Sequence, residues 1–502
     1  MHFSFTSTDF YVLLPLLFPV FGAILVLCLD LLLKPGKGAR TLVHGLSLLS
    51  LLGGILAGVQ QYLYLQPSHP LPPKIALGPL LEPVFHFQPW TVLGSILLLF
   101  LTLISLLLSG AWWKEGDEEF RAYGEFHVLT LFFPVGAGLL LGAKNLMLAF
   151  IGLEILSISL YVLVAFRRSR TKSVEAGLKY FLLGAFGAAF FVYGSALIYA
   201  GQGNLDLPAM GTILQEGLPQ PFGYAALGGA ILFIALFFKA SIAPFHMWTP
   251  DVYEGAPTPI TALMSTGTKA AAFFLLISAA RLFPHELVPV FTFLAILSIL
   301  VGNAGALVQT NLKRLLAYSG IAHAGYLLVA YQAMAVGQGQ TDAGIALRAL
   351  LFYLAVYGIT NLAALGVLSW IERKDPEIVT LEGLKGLGRR NPIAAAILAI
   401  AALSLAGIPP TAGFWAKYQI FAASIQAGQI PLAIFAILGS VIGLYYYLKI
   451  LVALYFKEGT SSETLSGNGL ATGLTLSFCA SAILLVGILP DLFLNVLVNV
   501  RL

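Results

Sequence analysis

Residues 237–250 read FFKASIAPFHMWTP. An apolar run of the kind that crosses a membrane takes in a lysine, Lys239, and then meets a proline, Pro244. Proline removes one i→i−4 hydrogen bond, and its ring crowds the carbonyl one turn back. Backbone groups freed in this way cannot face lipid, so a broken helix must be buried in protein or line a water-filled cavity. A buried ammonium needs the same surroundings. Break and charge account for each other, and they point to a helical membrane bundle with a polar interior.

The rest of the chain agrees. Of 502 residues, 59% are hydrophobic and 10% charged, and the mean hydropathy is +0.90. Soluble domains carry about 25% charged residues, so a soluble globule is excluded. A net charge of +4 says little about nucleic acid in such a chain, and no nucleic-acid partner is expected. Apolar runs of roughly 20 residues suffice to cross a bilayer. They fall near 11–33, 41–63, 91–112, 126–143, 145–166, 174–200, 222–248, 259–280, 287–309, 313–333, 343–371, 391–428, 430–456 and 469–499, about fourteen spans in a single integral membrane domain over 1–502. The opening MHFSFTSTDF has no Lys or Arg, and the first span lacks a cleavage site, so it reads as an anchor rather than a signal peptide. Cys28 and Cys479 lie inside the first and last spans and offer neither a disulfide framework nor metal-site spacing.

Loops after odd-numbered spans hold 17 Lys and Arg, among them Lys313 and Arg314, against three in the others (Lys74, Lys144, Arg281). Positive charge stays cytoplasmic, which puts both termini on the non-cytoplasmic side. Six cations remain within spans: Lys179, Lys239, Lys269, Arg348, Lys417 and Lys449. A lysine near a helix end can lay its stem in lipid and reach the interface, which suits Lys449 and Arg348. Lys179 is also near an end, with Glu175 at i−4 to pair with it. Lys269 is mid-span, with Ser265 and Thr266 on its face. Glu154 is equally central in its span, and a carboxylate is too short to snorkel far. His323 is mid-span in SGIAHAGYLL, where it serves either packing or proton transfer.

The span at 391–428 repeats the device of Lys239 and Pro244. At 1.5 Å per residue it would run to about 57 Å, too long for one straight crossing. Its centre reads LAGIPPTAGFWAKYQ, with Pro409 and Pro410 followed by Lys417, so lysine and break come in the opposite order. Two proline-interrupted helices at matching positions mark the site of an inverted-repeat transporter. As spans seven and twelve they define five-helix units, spans four to eight and nine to thirteen, and an odd number of helices per unit forces inversion. Glu154, Lys239, Lys269, His323 and Lys417 then form a row of titratable groups of the kind proton relays use. Burial favours the neutral amine and a neighbouring carboxylate the charged one, so moving one partner changes proton affinity. Gly clusters such as GAFGAA lie within helices and suit close packing, not phosphate binding.

FKASIAPFHMWTPDVYEGAPTPITALMSTGTKAAAF, LLAYSGIAHAGYLL and LAGIPPTAGFWAKY together resemble subunit N of proton-pumping NADH:quinone oxidoreductase, respiratory complex I, and its plastid and cyanobacterial counterpart. The resemblance covers about residues 125–455. It implies fourteen transmembrane helices with two inverted five-helix repeats, at 126–280 and 287–456, flanked by helices at 1–112 and 469–499. It implies that Glu154 pairs with Lys239, that Lys269 connects the halves, that Lys417 lies near the exit, that His323 sits on the hydrated axis and that Lys179 supports. It implies no cofactor in this chain, with flavin, iron–sulfur clusters and quinone in partner subunits. The partners implied are other membrane-arm subunits, sister antiporter-like subunits among them, in a bacterial plasma membrane or a thylakoid. The acidic KEGDEEF loop near 114–120 matches no family motif. Two alternatives stay open: a subunit of an Mrp-type sodium/proton antiporter, and a structural spacer with inert charges.

Overall fold

The computed structural model describes residues 5–33, 36–66, 77–113, 123–207, 223–282, 287–337, 341–372, 376–459 and 469–500. The chain is an all-α polytopic membrane protein. Among the described residues, eleven helices are long and apolar enough to cross a membrane. These are α1 (Ser7–Leu32), α2 (Lys37–Tyr64), α3 (Pro89–Ser109), α4 (Tyr123–Gly142), α5 (Leu146–Val164), α6 (Thr171–Gln202), α8 (Thr258–Ser278), α9 (Val288–Leu307), α11 (Thr341–Ile371), α13 (Ile430–Tyr455) and α14 (Leu470–Ile488). A further long helix, α10 (Leu312–Val336), carries His323. Expected span twelve appears as two helices, α12a (Pro392–Ala406) and α12b (Ala412–Gln426), while in expected span seven the helix α7a (Tyr224–Ala240) stops short and a second short helix, α7b (Thr249–Gly255), follows just beyond the expected end at 248. The last expected span, 469–499, also divides at Pro490, into α14 and the short α15 (Asp491–Leu497). The acidic loop at 114–120 lies outside the described residues.

Each break has a sequence cause and a local remedy. α7a ends on Ser241 in the left-handed region (φ 60°), and α12a ends on Gly407 (φ 84°). The amide of Ala243 donates to the Ser298 hydroxyl of α9 (3.0 Å), and the Trp248 indole donates to the Phe238 carbonyl (3.0 Å). In the second break Pro410 has no N–H to give the Ala406 carbonyl, and the Lys417 ammonium supplies the donor instead (2.9 Å). Backbone polar groups left unpaired in hydrocarbon cost several kcal/mol each, by estimates of roughly 2–7, which is why side chains close on these positions.

Burial ranks the helices. α8 is buried along nearly its whole length and α11 along most of its own, whereas α6 leaves most of its length exposed. Lys269 is therefore carried by the innermost helix, and the exposed apolar faces of α6, α1, α2 and α13 form the lipid-facing or partner-facing wall. Small residues let the inner helices approach: a Cβ on Gly136 of α4 would lie 2.4 Å from the Leu156 amide of α5, and one on Gly302 of α9 would lie 2.3 Å from the Ala322 amide of α10. Asn145 caps α5 and Asn311 caps α10, each accepting backbone N–H bonds through its side chain.

Lys313 and Arg314 differ from the sequence expectation, which placed them in a loop. The Asn311 side chain accepts from the amides of Lys313 and Arg314 and so fixes both in the first turn of α10. Lys313 is buried and donates to the Ala256 carbonyl (2.6 Å).

Candidate functional site

Lys239 stands at the end of α7a, one residue before the helix ends, and is 3% exposed. Its ammonium donates to the Ser157 hydroxyl of α5 (2.8 Å) and to the Tyr161 hydroxyl (3.4 Å). It also lies 5.3 Å from the Tyr161 ring centroid and 5.5 Å from that of Tyr180. Cation–π contacts of a desolvated ammonium are worth about 2 kcal/mol, so the rings replace part of the lost hydration. Glu154 is within electrostatic reach of Lys239 without an ion-pair contact, and its Oε1 is buried with no hydrogen-bond partner among the described residues. Ser157, one turn on, takes the direct bond.

Lys269 is fully buried, and its ammonium has no hydrogen-bond partner among the described residues. It faces α10 at Gly320, where an added Cβ would stand 3.2 Å from Lys269 Nζ and 3.0 Å from the Tyr357 hydroxyl. His323 is held at both nitrogens, Nδ1 to the Tyr353 hydroxyl (2.6 Å) and Nε2 to the Tyr447 hydroxyl (3.1 Å). Tyr447 in turn meets the Ser319 hydroxyl (2.5 Å). Charges on Lys269 and Lys417 both reach the imidazole. A cavity of about 10 Å³ lies between His323, Tyr357, Thr360 and Lys417, space for the centre of about one water molecule. Lys417 donates to the Ala406 carbonyl and to the Ser440 hydroxyl (2.8 Å), and lies 5.5 Å from the Tyr326 ring centroid.

Lys179 belongs to a separate cluster. Its ammonium bonds Glu175 on its own helix (2.7 Å) and Asp251 of α7b (2.9 Å), with its side chain 43% exposed. Arg314 of α10 bonds Asp251 (2.7 Å) and Glu254 (3.1 Å), and Lys172 of α6 bonds Glu254 (3.0 Å). Burial pushes the Asp251 and Glu254 carboxyls up, but the bonds from Arg314 with Lys179 and with Lys172 outweigh it and hold both below their ordinary values. The cluster lines a pocket of about 130 Å³. Asp251, Glu254 and Arg314 were absent from the expected site. The signal available was the i, i+3 carboxylate pair in PDVYEG directly after a break, which puts both on one helix face. Lys449 donates to the Leu307 carbonyl at the end of α9.

The site thus brings Glu154 to Lys239, and Lys269 and Lys417 to His323, while Lys179 sits with the exposed charges. Three buried amines in three settings, one on hydroxyls, one unbonded and one on a carbonyl, can differ in proton affinity. Residues 143–443 match the family described as NADH:quinone oxidoreductase/Mrp antiporter, TM. The chain belongs to that family. The family segment encloses all six expected site residues. Within the family, NADH-quinone oxidoreductase subunit N 2 of Koribacter versatilis (strain Ellin345) is 40% identical, across 98% of this chain and 97% of that protein. A chain of respiratory complex I from Thermus thermophilus superposes with a TM-score of 0.76 at 33% identity, covering 96% of this chain and 98% of that one. A chain of the Mrp complex from Dietzia sp. DQ12-45-1b superposes at 0.80, covering 98% and 96%; at 21% identity it shares the fold alone.

Proposed function

We propose that the chain is the antiporter-like, proton-translocating subunit of a complex I type NAD(P)H or ferredoxin:quinone oxidoreductase. It relays protons through Glu154, Lys239, Lys269, His323 and Lys417, with Lys179 supporting. The observation that carries this reading is Lys269: a lysine ammonium fully buried on the innermost helix and unbonded among the described residues. The relatives named for NADH-quinone oxidoreductase and for complex I supply the assembly. In this reading the redox chemistry, with flavin, iron–sulfur clusters and quinone, belongs to partner subunits, and this chain contributes proton translocation. It sits in the plasma or thylakoid membrane with both termini on the non-cytoplasmic side.

The reading includes fourteen crossings, counting α10 and the two broken helices with the eleven, and two inverted repeats at 126–280 and 287–456. In support, Gly136 and Gly302, the caps Asn145 and Asn311, the left-handed residues Ser241 and Gly407, and Pro244 and Pro410 are all separated by the same 166 residues, as in 136 to 302. In this register Ser157, the acceptor of Lys239, corresponds to His323, and Glu154 corresponds to Gly320.

Affinity purification of the tagged chain from native membranes in mild detergent tests the assignment. Flavin, iron–sulfur signals and quinone reduction should accompany it, and Lys239→Ala should abolish proton uptake in the assembled complex. Co-purification of membrane subunits alone, with sodium-for-proton exchange in vesicles, would transfer the same residues to the antiporter class.

A further inference from the structure

α6 carries a stripe whose pattern the proton relay does not explain. Lys172, Glu175 and Lys179 recur at steps of three and four residues and so share one face of the helix. The same steps continue through Leu182, Phe186, Phe190 and Tyr193, all four of them exposed. The face is thus charged over its first two turns and apolar beyond them. From Leu182 to Tyr193 the rise is about 16 Å at 1.5 Å per residue, close to half of a hydrocarbon core of about 30 Å. The stripe matches one leaflet, with its charges at headgroup depth and its apolar side chains along the acyl region.

The charged end of the stripe opens into a pocket. α7b touches α6 at Gly255, where a Cβ would lie 2.4 Å from the Lys172 carbonyl. Beside that contact lies the pocket of about 130 Å³, with Lys172, Glu175 and Lys179 on the α6 side and Asp251 and Glu254 on the α7b side. Its rim has bonding capacity to spare. Among the described residues the Lys172 ammonium, on a side chain 77% exposed, donates to Glu254 alone, and the Glu175 carboxylate, 58% exposed, accepts from Lys179 alone. An ammonium has three donors and a carboxylate about four acceptor positions. Open donors and open acceptors of opposite charge therefore stand side by side at the head of an apolar track.

The lining discriminates between headgroups. Three carboxylates face two lysines, and Arg314, bonded to Asp251 and Glu254, brings the cluster to neutral. A headgroup of net negative charge would meet lysines that are already paired and carboxylates that outnumber them. A headgroup carrying both signs finds a partner for each. A choline headgroup has no N–H to donate, whereas an ethanolamine ammonium has three. We propose that this pocket binds the headgroup of a zwitterionic phospholipid with a primary ammonium, of the phosphatidylethanolamine class. The ammonium sits between Glu175 and Glu254, the phosphate meets Lys172, and an acyl chain lies along Leu182, Phe186, Phe190 and Tyr193. The lipid then ties α6 to the short half-helix α7b. The leaflet is the cytoplasmic one on the sidedness proposed above; the site itself rests on neither that sidedness nor the relay.

The test compares the full complex in nanodiscs of phosphatidylcholine alone, phosphatidylcholine with phosphatidylethanolamine, and phosphatidylcholine with phosphatidylglycerol. We expect amide exchange across 249–255 to be about tenfold slower with phosphatidylethanolamine than in the other two, the scale of one hydrogen bond between charged groups. A phosphatidylethanolamine with a photoreactive acyl chain should crosslink to 182–193. Glu175 has no bond to α7b among the described residues, so Glu175→Gln should exchange like wild type in phosphatidylcholine while losing the effect of phosphatidylethanolamine and most of the crosslink. Equal exchange of the wild type in all three discs would overturn the proposal, the pocket being then empty or filled by a partner subunit. Slower exchange with phosphatidylglycerol would reject it in favour of an anionic headgroup. A phosphatidylethanolamine effect of full size in Glu175→Gln would also reject it, because the cause would then be the bilayer as a whole and not this pocket.

Discussion

Lys417 has two duties, of which a sequence shows only one. Its charge at mid-membrane marks it as functional, but its bond to the Ala406 carbonyl, the group that Pro410 leaves without a donor, also makes it the cap of α12a. Lys417→Met keeps the stem and removes the amine. It should lower the thermal midpoint, by an amount corresponding to about 1–3 kcal/mol for one buried acceptor left unpaired, as well as stop pumping. Ser440→Ala deletes the other bond and leaves the carbonyl satisfied, so its effect on the midpoint should be smaller. Equal midpoints for Lys417→Met and wild type would show that the cap is dispensable. At this scale the lysines were legible because an ammonium in an apolar run has few explanations. Their acceptors were not: Ser157, Tyr161 and Ser440 read equally well as packing, and only their distances to the ammonium groups distinguish them.

At the scale of elements, proline announces both broken helices in the sequence itself, and excess length announces the second. What they cannot announce is how α7b stays in place. A helix of seven residues has too few internal bonds to persist alone. It is held from two sides, by Lys172 and Lys179 of α6 and by Arg314 of α10. Partners on two helices distant in sequence have no local pattern to read. Arg314→Gln should speed amide exchange across 249–255 relative to α8. Acid should do the same to the wild type. Because Asp251 and Glu254 titrate below their ordinary values, their contribution is complete above the usual carboxylate pKa of about 4 and disappears as pH falls through the lowered values. Protection of 249–255, corrected for intrinsic rates, should therefore be flat from about pH 5 to 8 and fall only in stronger acid. A decline near neutrality would mean that histidine, not this cluster, holds the helix.

For the molecule as a whole, the alternation of basic loops predicts sidedness as well as helix number. The turn at Leu387–Arg390 follows α11, and Arg389 has an 87% exposed side chain. In a background with Cys28 and Cys479 replaced, Arg389→Cys should react with an impermeant thiol reagent only from the cytoplasmic face, and Asn499→Cys only from the other. Labelling of both from one face would remove a crossing and with it the inversion of the halves. The eleven long apolar helices of the described residues were legible in sequence because each apolar run is a local property. The proposed correspondence of the halves showed in sequence only through the two proline breaks, since the pairs Gly136 with Gly302 and Asn145 with Asn311 stand out only once close approaches and caps single them out at one spacing.

The opposite order of lysine and break in the two interrupted helices has an electrical consequence. Lys239 precedes its break and Lys417 follows its own. In the proposed inverted halves the two broken helices run antiparallel, so that reversing the order puts both amines on the same side of their breaks; a strict copy would have put them on opposite sides. On that reading Lys239 and Lys417 stand at like depth, and the proposed row between them runs along the plane of the bilayer. A proton travelling in that plane does almost no work against the transmembrane voltage, which costs about 2.3 kcal/mol per charge per 100 mV only for motion across it. The voltage is met in the hops onto and off the row, so a membrane potential should load the entry and exit steps and leave the traffic between the lysines nearly untouched.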